Sequence, residues 1–270
     1  MGGAAQRAGG GVRVSAEQGR WAGRNPDKDV IRHEVWSGLE RDGVAIGPAW
    51  SMIPNFVGAD VAAWRLAQTD EWKRAKTVKT NPDAPQIPIR IRALYEGKLV
   101  FAPVPYLTRE FPYLRLDPER LKENGVSFEL AATSQGFMEH GERIGFEDVA
   151  PLDFCVVGSV AVTRNGGRTG KGAGFADLET AIFRELGIVS ASTPIATTVH
   201  SSQLVDDARV PMQAHDSPLD FVATELELIR TGNVAVRPMG VDWDRVQPDQ
   251  FETIPFLSDL RDRMLARRIV

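Results

Sequence analysis

Hydrophobic positions along this chain fall into two spacings, and the switch between them outlines its elements. After Asn25-Pro26-Asp27, the apolar residues Ile31, Val35, Trp36 and Leu39 recur at helical spacing up to Gly43. Asn25 is a good cap and Pro26 suits a first helical turn, so the helix is expected to start there. The same reasoning predicts helices over Gly58–Gln68, Asp70–Ala75 and Ile87–Tyr95, the last delayed by Pro88, and over Pro118–Asn124 with Asp117 as cap and Gly125 after its end. The run Leu99–Pro103 predicts a short buried strand, and Val78–Pro82 a strand running into a turn. Leu107–Leu116 mixes polar and aromatic residues and reads as a loop, while Ser127–Glu147 has no clear period.

The second half is more regular. Asp153–Val162 is almost continuously apolar, as expected of a strand buried on both faces. Arg164–Gly174 is dense in glycine and basic residues, and a helix is predicted over Phe175–Leu186, ended by Gly187. Ile188–Val189, Ile195–Val199 and Val234–Val236 are further strand candidates, and Leu257–Arg268 has the pattern of an amphipathic helix. Strand, glycine-rich loop, helix and strand in that order form a βαβ unit and call for a parallel sheet. The expected fold class is α/β, with one domain over residues 25–270 after a flexible Gly/Ala-rich tail over residues 1–24.

Composition narrows the partners. The 270 residues carry a formal net charge of −4, so no general basic excess holds a polyanion, and nucleic acid is not expected as a partner. An anionic ligand needs a local cluster of cations. The tail has no apolar core of a secretory signal, and no stretch approaches the ~20 apolar residues that span a bilayer. No membrane contact is expected, and a cytoplasmic location follows by default. The single cysteine, Cys155, sits in the run Phe154-Cys155-Val156-Val157 and reads as a buried structural thiol.

The candidate chemistry centres on Arg168-Thr169-Gly170-Lys171-Gly172-Ala173-Gly174-Phe175-Ala176-Asp177. Glycines there let backbone N–H groups approach a ligand, and the helix that follows adds the positive end of its dipole. Arg168 and Lys171 bring the charge that the chain as a whole lacks. The segment suits phosphate, and Asp177 can hold Mg²⁺ on the phosphate oxygens. It lacks the Gly-Lys-Ser/Thr ending of a P-loop and the Gly-x-Gly-x-x-Gly spacing of a dinucleotide fingerprint. The residues alone are equally compatible with a surface loop in which Asp177 caps its helix.

The run Pro151–Val162 followed by Arg168-x-Gly-x-Gly-x-Gly-Phe-x-Asp177 resembles the 5-formyltetrahydrofolate cyclo-ligase family. Thr197-Thr198-Val199-His200, Val210-Pro211, His215-Asp216, Asp220 and Thr224-Glu225 extend the likeness, and Lys28-x-x-x-Arg32 resembles the family's phosphate-binding Lys/Arg helix. Asn81-Pro82-Asp83-x-Pro85-Gln86 is similar to the divergent branch of that family. The resemblance implies an open, mostly parallel sheet with helices on both faces, related to the NagB/RpiA/CoA-transferase group. It also implies an ATP- and Mg²⁺-dependent closure of 5-formyltetrahydrofolate to 5,10-methenyltetrahydrofolate, in which the formyl oxygen attacks the γ-phosphate. On this reading Lys28, Arg168 and Lys171 are catalytic. ATP is held by Lys28, Arg32, Arg168, Gly170, Lys171, Gly172, Ala173, Gly174 and Phe175, and Mg²⁺ by Asp177.

Two departures bear on the substrate. The family's loop ends Gly-Tyr-Tyr-Asp-Arg, and this one ends Gly174-Phe175-Ala176-Asp177-Leu178. The family's folate-binding glutamate has no counterpart in Asp83-Ala84-Pro85-Gln86-Ile87-Pro88. ATP use is therefore better preserved than folate specificity. A second expectation keeps the activation chemistry on another formamide or amide, and a third is a non-catalytic folate- or nucleotide-binding protein. Trp50, Asn55, Phe56 and Phe175 are the candidate substrate contacts, the aromatic rings because their faces stack on a flat heterocycle. His200 and His215 can serve as ligand contacts or as structural histidines, and His33 and His140 are expected at the surface.

Overall fold

A computed structural model of the chain describes residues 24–107, 111–233 and 237–268. Its first helix, α1 (Pro26–Arg41), starts at Asn25, whose side chain accepts a bond from the Lys28 amide. The buried face of α1 carries Ile31, Val35, Trp36 and Leu39, and also Lys28 and Arg32. Residues four apart share a helix face, so Lys28 and Arg32 point the same way into the protein. Helices α2 (Ala59–Leu66) and α3 (Asp70–Arg74) lead to strand β1 (Thr77–Lys79). Helix α4 (Ile87–Tyr95) follows with Pro88 in its first turn, where the missing N–H costs no bond. Then come β2 (Leu99–Pro103), β3 (Tyr113–Leu116), α5 (Pro118–Glu123), α6 (Phe128–Ala131), α7 (Ser134–His140) and β4 (Glu142–Ile144). The second half runs β5 (Phe154–Val156), β6 (Ala161–Val162), β7 (Arg168–Thr169), α8 (Phe175–Glu185), β8 (Ile195–Thr198), β9 (Phe221–Ala223) and β10 (Leu228–Arg230). It ends with α9 (Pro248–Thr253) and α10 (Leu257–Arg268).

Eight strands form one sheet in the order β10-β9-β8-β5-β1-β2-β3-β4. From β9 through β2 neighbours run parallel, and the pairs at both edges are antiparallel. Alternation along β5 sends Phe154 and Val156 to one core and Cys155 and Val157 to the other. The first core includes Trp72, Leu94 and Phe137, the second Phe183 and Leu257, so helices cover both faces. Burial pushes the Cys155 thiol up to about 12, as expected of a structural cysteine.

Four expectations need correction. The apolar run Asp153–Val162 is two strands: the chain leaves the main sheet after β5, and β6 pairs antiparallel with β7, Ala161 opposite Thr169 and Val162 opposite Arg168. The break is at Gly158, where an added Cβ would lie 3.0 Å from the Ile53 side chain. Tyr113–Leu116 is a strand, not loop, because β2 pairs with it from Val100–Leu116 to Pro103–Tyr113. Ile188 and Val189 are buried in a turn and form no strand, and the Ile188 carbonyl accepts from the Leu152 amide. His140 is half-buried, not at the surface, while His33 is exposed. The strand expected at Val234–Val236 lies outside the described residues, as does the expected tail apart from Arg24. Among the described residues no helix is long and apolar enough to cross a membrane.

Candidate active site

The parallel strands deliver their carboxyl ends to one place. Asn81–Asp83 after β1, Pro103 and Val104 at the end of β2, and Gly158 after β5 line a cleft of about 460 Å³. The crevice beyond the carboxyl ends of parallel strands is where open α/β sheets hold ligands. Residues 170–178, joining β7 to α8, form one wall. Lys28 and Arg32 of α1, Gln213, His215 and Asp216, and a segment from Gly240 to Gln250 complete it.

The loop is shaped for an anion. Gly172 and Gly174 have φ of 107° and 74°, values that L side chains resist. No acceptor among the described residues takes the N–H groups of Gly172, Ala173 or Gly174. Successive unbonded amides at the start of an eleven-residue helix, one with no side-chain cap, make a nest of positive potential.

Cations line the cleft around this nest, and Lys28, Arg32, Arg168 and Lys171 are each bonded to an acid. Lys28 Nζ lies 2.6 Å from Asp216 Oδ2, Arg168 Nη1 lies 2.9 Å from Asp177 Oδ1, and Lys171 Nζ lies 3.3 Å from Asp83 Oδ1. Arg32 pairs with Asp29 in its own helix and gives its Nε to the Gly170 carbonyl at 2.7 Å. Burial pulls the Arg32 guanidinium below its ordinary value, and Asp29 opposes that. Arg32 thus braces the loop backbone, a duty that sequence reasoning did not assign to it. Arg168 is 4% exposed, and its Nε is buried with no partner among the described residues. A buried donor without an acceptor costs about 1–3 kcal/mol, which a bound anion would relieve.

Glu179 and Asn81 in the cleft lining belong to a buried charged group that pattern reasoning missed. Lys79, last residue of β1, sends Nζ to Glu179 Oε2 at 3.0 Å and to Asn81 Oδ1 at 2.8 Å. Tyr113 Oη donates to Glu179 Oε1 at 2.5 Å, and burial, then the Glu179 charge, hold the Tyr113 hydroxyl well above its usual pKa. Arg90, fully buried in α4, has no carboxylate in hydrogen-bond contact. It donates to the carbonyls of Asn81, Asp83 and Ala132, and burial pulls it down to about 10. It thereby fixes the Asn81–Asp83 turn that presents Asp83 to Lys171. The short strand Thr77-Val78-Lys79 gives little clue to this, because the alternation rule alone reads its terminal lysine as a solvent-facing position.

Several expected contacts lie elsewhere. Trp50 packs with Trp36 and His33, with ring centroids 5.6 and 5.2 Å away, and does not line the cleft. Phe56 is fully buried against His200, and Asn55 caps the Phe56 amide at 3.0 Å. Ligand contact was expected of these three, but none of them lines the cleft: Phe56 is buried and Trp50 and Asn55 are half-buried elsewhere. His200 also lies outside the cleft, bonded to Ser202 and near Glu225, whereas His215 and Phe175 line it.

Asp177 lines the cleft, and both of its bonds, from Arg168 and from the Ser217 amide, are made by Oδ1, leaving Oδ2 unengaged. No cluster of three or more ligating side chains occurs among the described residues. Such a donor set fits Mg²⁺ held chiefly by phosphate oxygens and water with one carboxylate, the usual habit of that ion.

The model of the 5-formyltetrahydrofolate cyclo-ligase family matches residues 24–225. The methenyltetrahydrofolate synthase domain-containing protein of Bos taurus is 36% identical over 237 residues, 87% of this chain and 62% of the relative. Its counterpart in Homo sapiens is 36% identical over 239 residues, again 87% of this chain and 62% of the relative. The chain spans less than two thirds of the length of these curated relatives. Among solved structures, the NMR structure of a 5,10-methenyltetrahydrofolate synthetase from Aquifex aeolicus aligns with a TM-score of 0.47 at 21% identity, over 78% of this chain and 93% of that one. With three quarters of its length under the family model and relatives of this identity, the chain belongs to the 5-formyltetrahydrofolate cyclo-ligase family.

Proposed function

We propose that the cleft binds ATP by its phosphates, together with Mg²⁺, and uses it to close 5-formyltetrahydrofolate to 5,10-methenyltetrahydrofolate. The observation that carries this reading is the run of unbonded amides at Gly172, Ala173 and Gly174 beside a buried Arg168 whose Nε lacks a partner. ATP would supply the phosphoryl group that turns the formyl oxygen into a leaving group, and Mg²⁺ would shield its charge. The protein's part is positioning and charge. The three amides hold terminal phosphate oxygens at the start of α8. Lys171 and Lys28 exchange Asp83 and Asp216 for phosphate, and Arg168 turns its unpartnered Nε to the same group. Charge that grows on the transferring phosphoryl group then meets the loop amides, donors already fixed by the backbone, together with the cations that have changed partners. Asp177 Oδ2 is the carboxylate oxygen available to the metal. Pro82, Val104, Leu107 and Phe175 offer an apolar stretch for a flat ring.

A second reading keeps the phosphate site and changes the substrate to another formamide or amide. It is favoured by the position of Trp50 and Phe56, which lie outside the cleft and leave Phe175 alone of the aromatic rings expected against a pterin. Calorimetric titration of ATP with Mg²⁺ tests the phosphate site common to both. Saturable binding that weakens at least tenfold in Lys171→Ala is expected, and absence of binding to the wild-type chain would overturn it. Comparing turnover of 5-formyltetrahydrofolate with that of simple formamides then separates the two substrates.

A further inference from the structure

The carbonyl of Ala173, in the middle of the glycine-rich loop, receives two side-chain donors from distant parts of the chain. Gln250 Nε2 reaches it at 3.1 Å and Arg24 Nη1 at 2.9 Å. Gln250 is 4% exposed, and its Oε1 accepts from the Gln247 amide at 3.0 Å, which fixes the side-chain amide with its NH₂ toward the loop. Arg24 is held in turn by Asp249, the residue beside Gln250. Arg32 makes the same kind of bond to the Gly170 carbonyl at 2.7 Å.

A trans peptide is planar, so its C=O and the next N–H point in opposite directions. Fixing the Ala173 carbonyl therefore fixes the Gly174 N–H. Gly174 sits at positive φ, where glycine adopts either peptide orientation at little cost. Left alone, the 173–174 peptide can rotate and present an oxygen where a phosphate needs a donor. We infer that Gln250 is a positioning residue that holds the 173–174 peptide in its anion-binding orientation, with Arg24 in support. This rests on the loop being a phosphate site. Gln250 lies on α9, beyond the residues 24–225 that match the family model, so this chain's cleft is completed by a segment outside that match.

The test uses the full chain with Gln250→Met and Gln250→Glu, both close in shape and unable to donate at Nε2. Inorganic tripolyphosphate and ATP are the calorimetric probes, alongside thermal unfolding and hydrogen exchange at the Gly174 amide. One lost bond to a neutral acceptor predicts about tenfold weaker binding of both probes in Gln250→Met, and more in Gln250→Glu, whose carboxylate repels phosphate. In Gln250→Glu, which keeps an acceptor for the Gln247 amide, the melting temperature should fall by no more than about 4 °C, because the bond is a small part of the fold's stability. Protection of the Gly174 amide by tripolyphosphate should also be lost, which a purely structural role would not cause. If the wild type binds both probes and Gln250→Met binds them equally well, with the Gly174 amide still protected, this inference is wrong and the phosphate site stands. If the wild type binds neither probe, the proposed function fails and takes this inference with it.

Discussion

Removing one charge from the buried Lys79–Glu179 group gives a prediction with a calculable size. Lys79 and Glu179 are each 1% exposed, their charged atoms are 3.0 Å apart, and Tyr113 Oη completes the group. Lys79→Met leaves the Glu179 carboxylate with one neutral donor and almost no water. Breaking a buried ion pair from one side costs about 3–5 kcal/mol, because the remaining charge keeps its desolvation penalty. At roughly 2–4 °C per kcal/mol for a domain near this size, the melting temperature should fall by about 6–20 °C. Removing both charges behaves differently. In Lys79→Met/Glu179→Leu no charge stays buried, and packing of similar volume is neutral or stabilising in such cases. Tyr113 Oη then lacks an acceptor, so Tyr113→Phe added to the pair should recover about 1 kcal/mol more. Thermal unfolding followed by circular dichroism at neutral pH measures all three variants. A Lys79→Met protein that melts within 2 °C of wild type, or a double variant as unstable as the single, would refute the reasoning.

Other outcomes follow from single contacts. Gly174→Ala should cost about 1–2 kcal/mol in chemical denaturation from its φ of 74° alone, since the new Cβ would meet nothing nearer than Gln250 Nε2 at 3.8 Å. The Cys155 thiol, at about 12, is uncharged at pH 8, so thiol reagents should leave the folded protein unmodified and react on unfolding. Asp153 accepts from the amides of Lys76 and Thr77 at 2.8 and 3.1 Å; partial burial pushes its carboxyl up, and these bonds outweigh that and hold it below the ordinary 3.8. The folded state therefore binds this proton less tightly than the unfolded chain. Its contribution is present above the unfolded value and is lost as pH falls through the folded one. Asp153→Asn should accordingly flatten the acid limb of stability below about pH 4, as urea midpoints across pH would show.

Local signals carried much of this architecture. Helix α1 was legible because its cap, its proline and its apolar spacing agree, and the loop between β7 and α8 because glycine and basic residues cluster there. Strand β3 was not, since Tyr113–Leu116 becomes a strand through its pairing with β2, which the residues of β3 alone do not signal. The run Asp153–Val162 misled for a related reason: Ala161 and Val162 are apolar because they are buried in a second, two-stranded sheet. At the site, the cations at Lys28, Arg168 and Lys171 could be found by type and spacing. Asp177, the partner of Arg168, lies nine positions away in the same motif, but the partners of Lys28 and Lys171 could not be found, because they lie 188 and 88 positions away. Trp50 and Phe56 suggested rings that stack on a flat ligand. Trp50 and Trp36 instead satisfy one another, which composition does not distinguish from a pocket.

The most direct test is to mix the protein with ATP, Mg²⁺ and 5-formyltetrahydrofolate, and to follow methenyl absorbance and phosphate release in the same sample. The account predicts equal amounts of the two products in the wild type, and loss of both in Lys171→Ala and Arg168→Met. Methenyl product formed without ATP, or at wild-type rate in both variants, would contradict it.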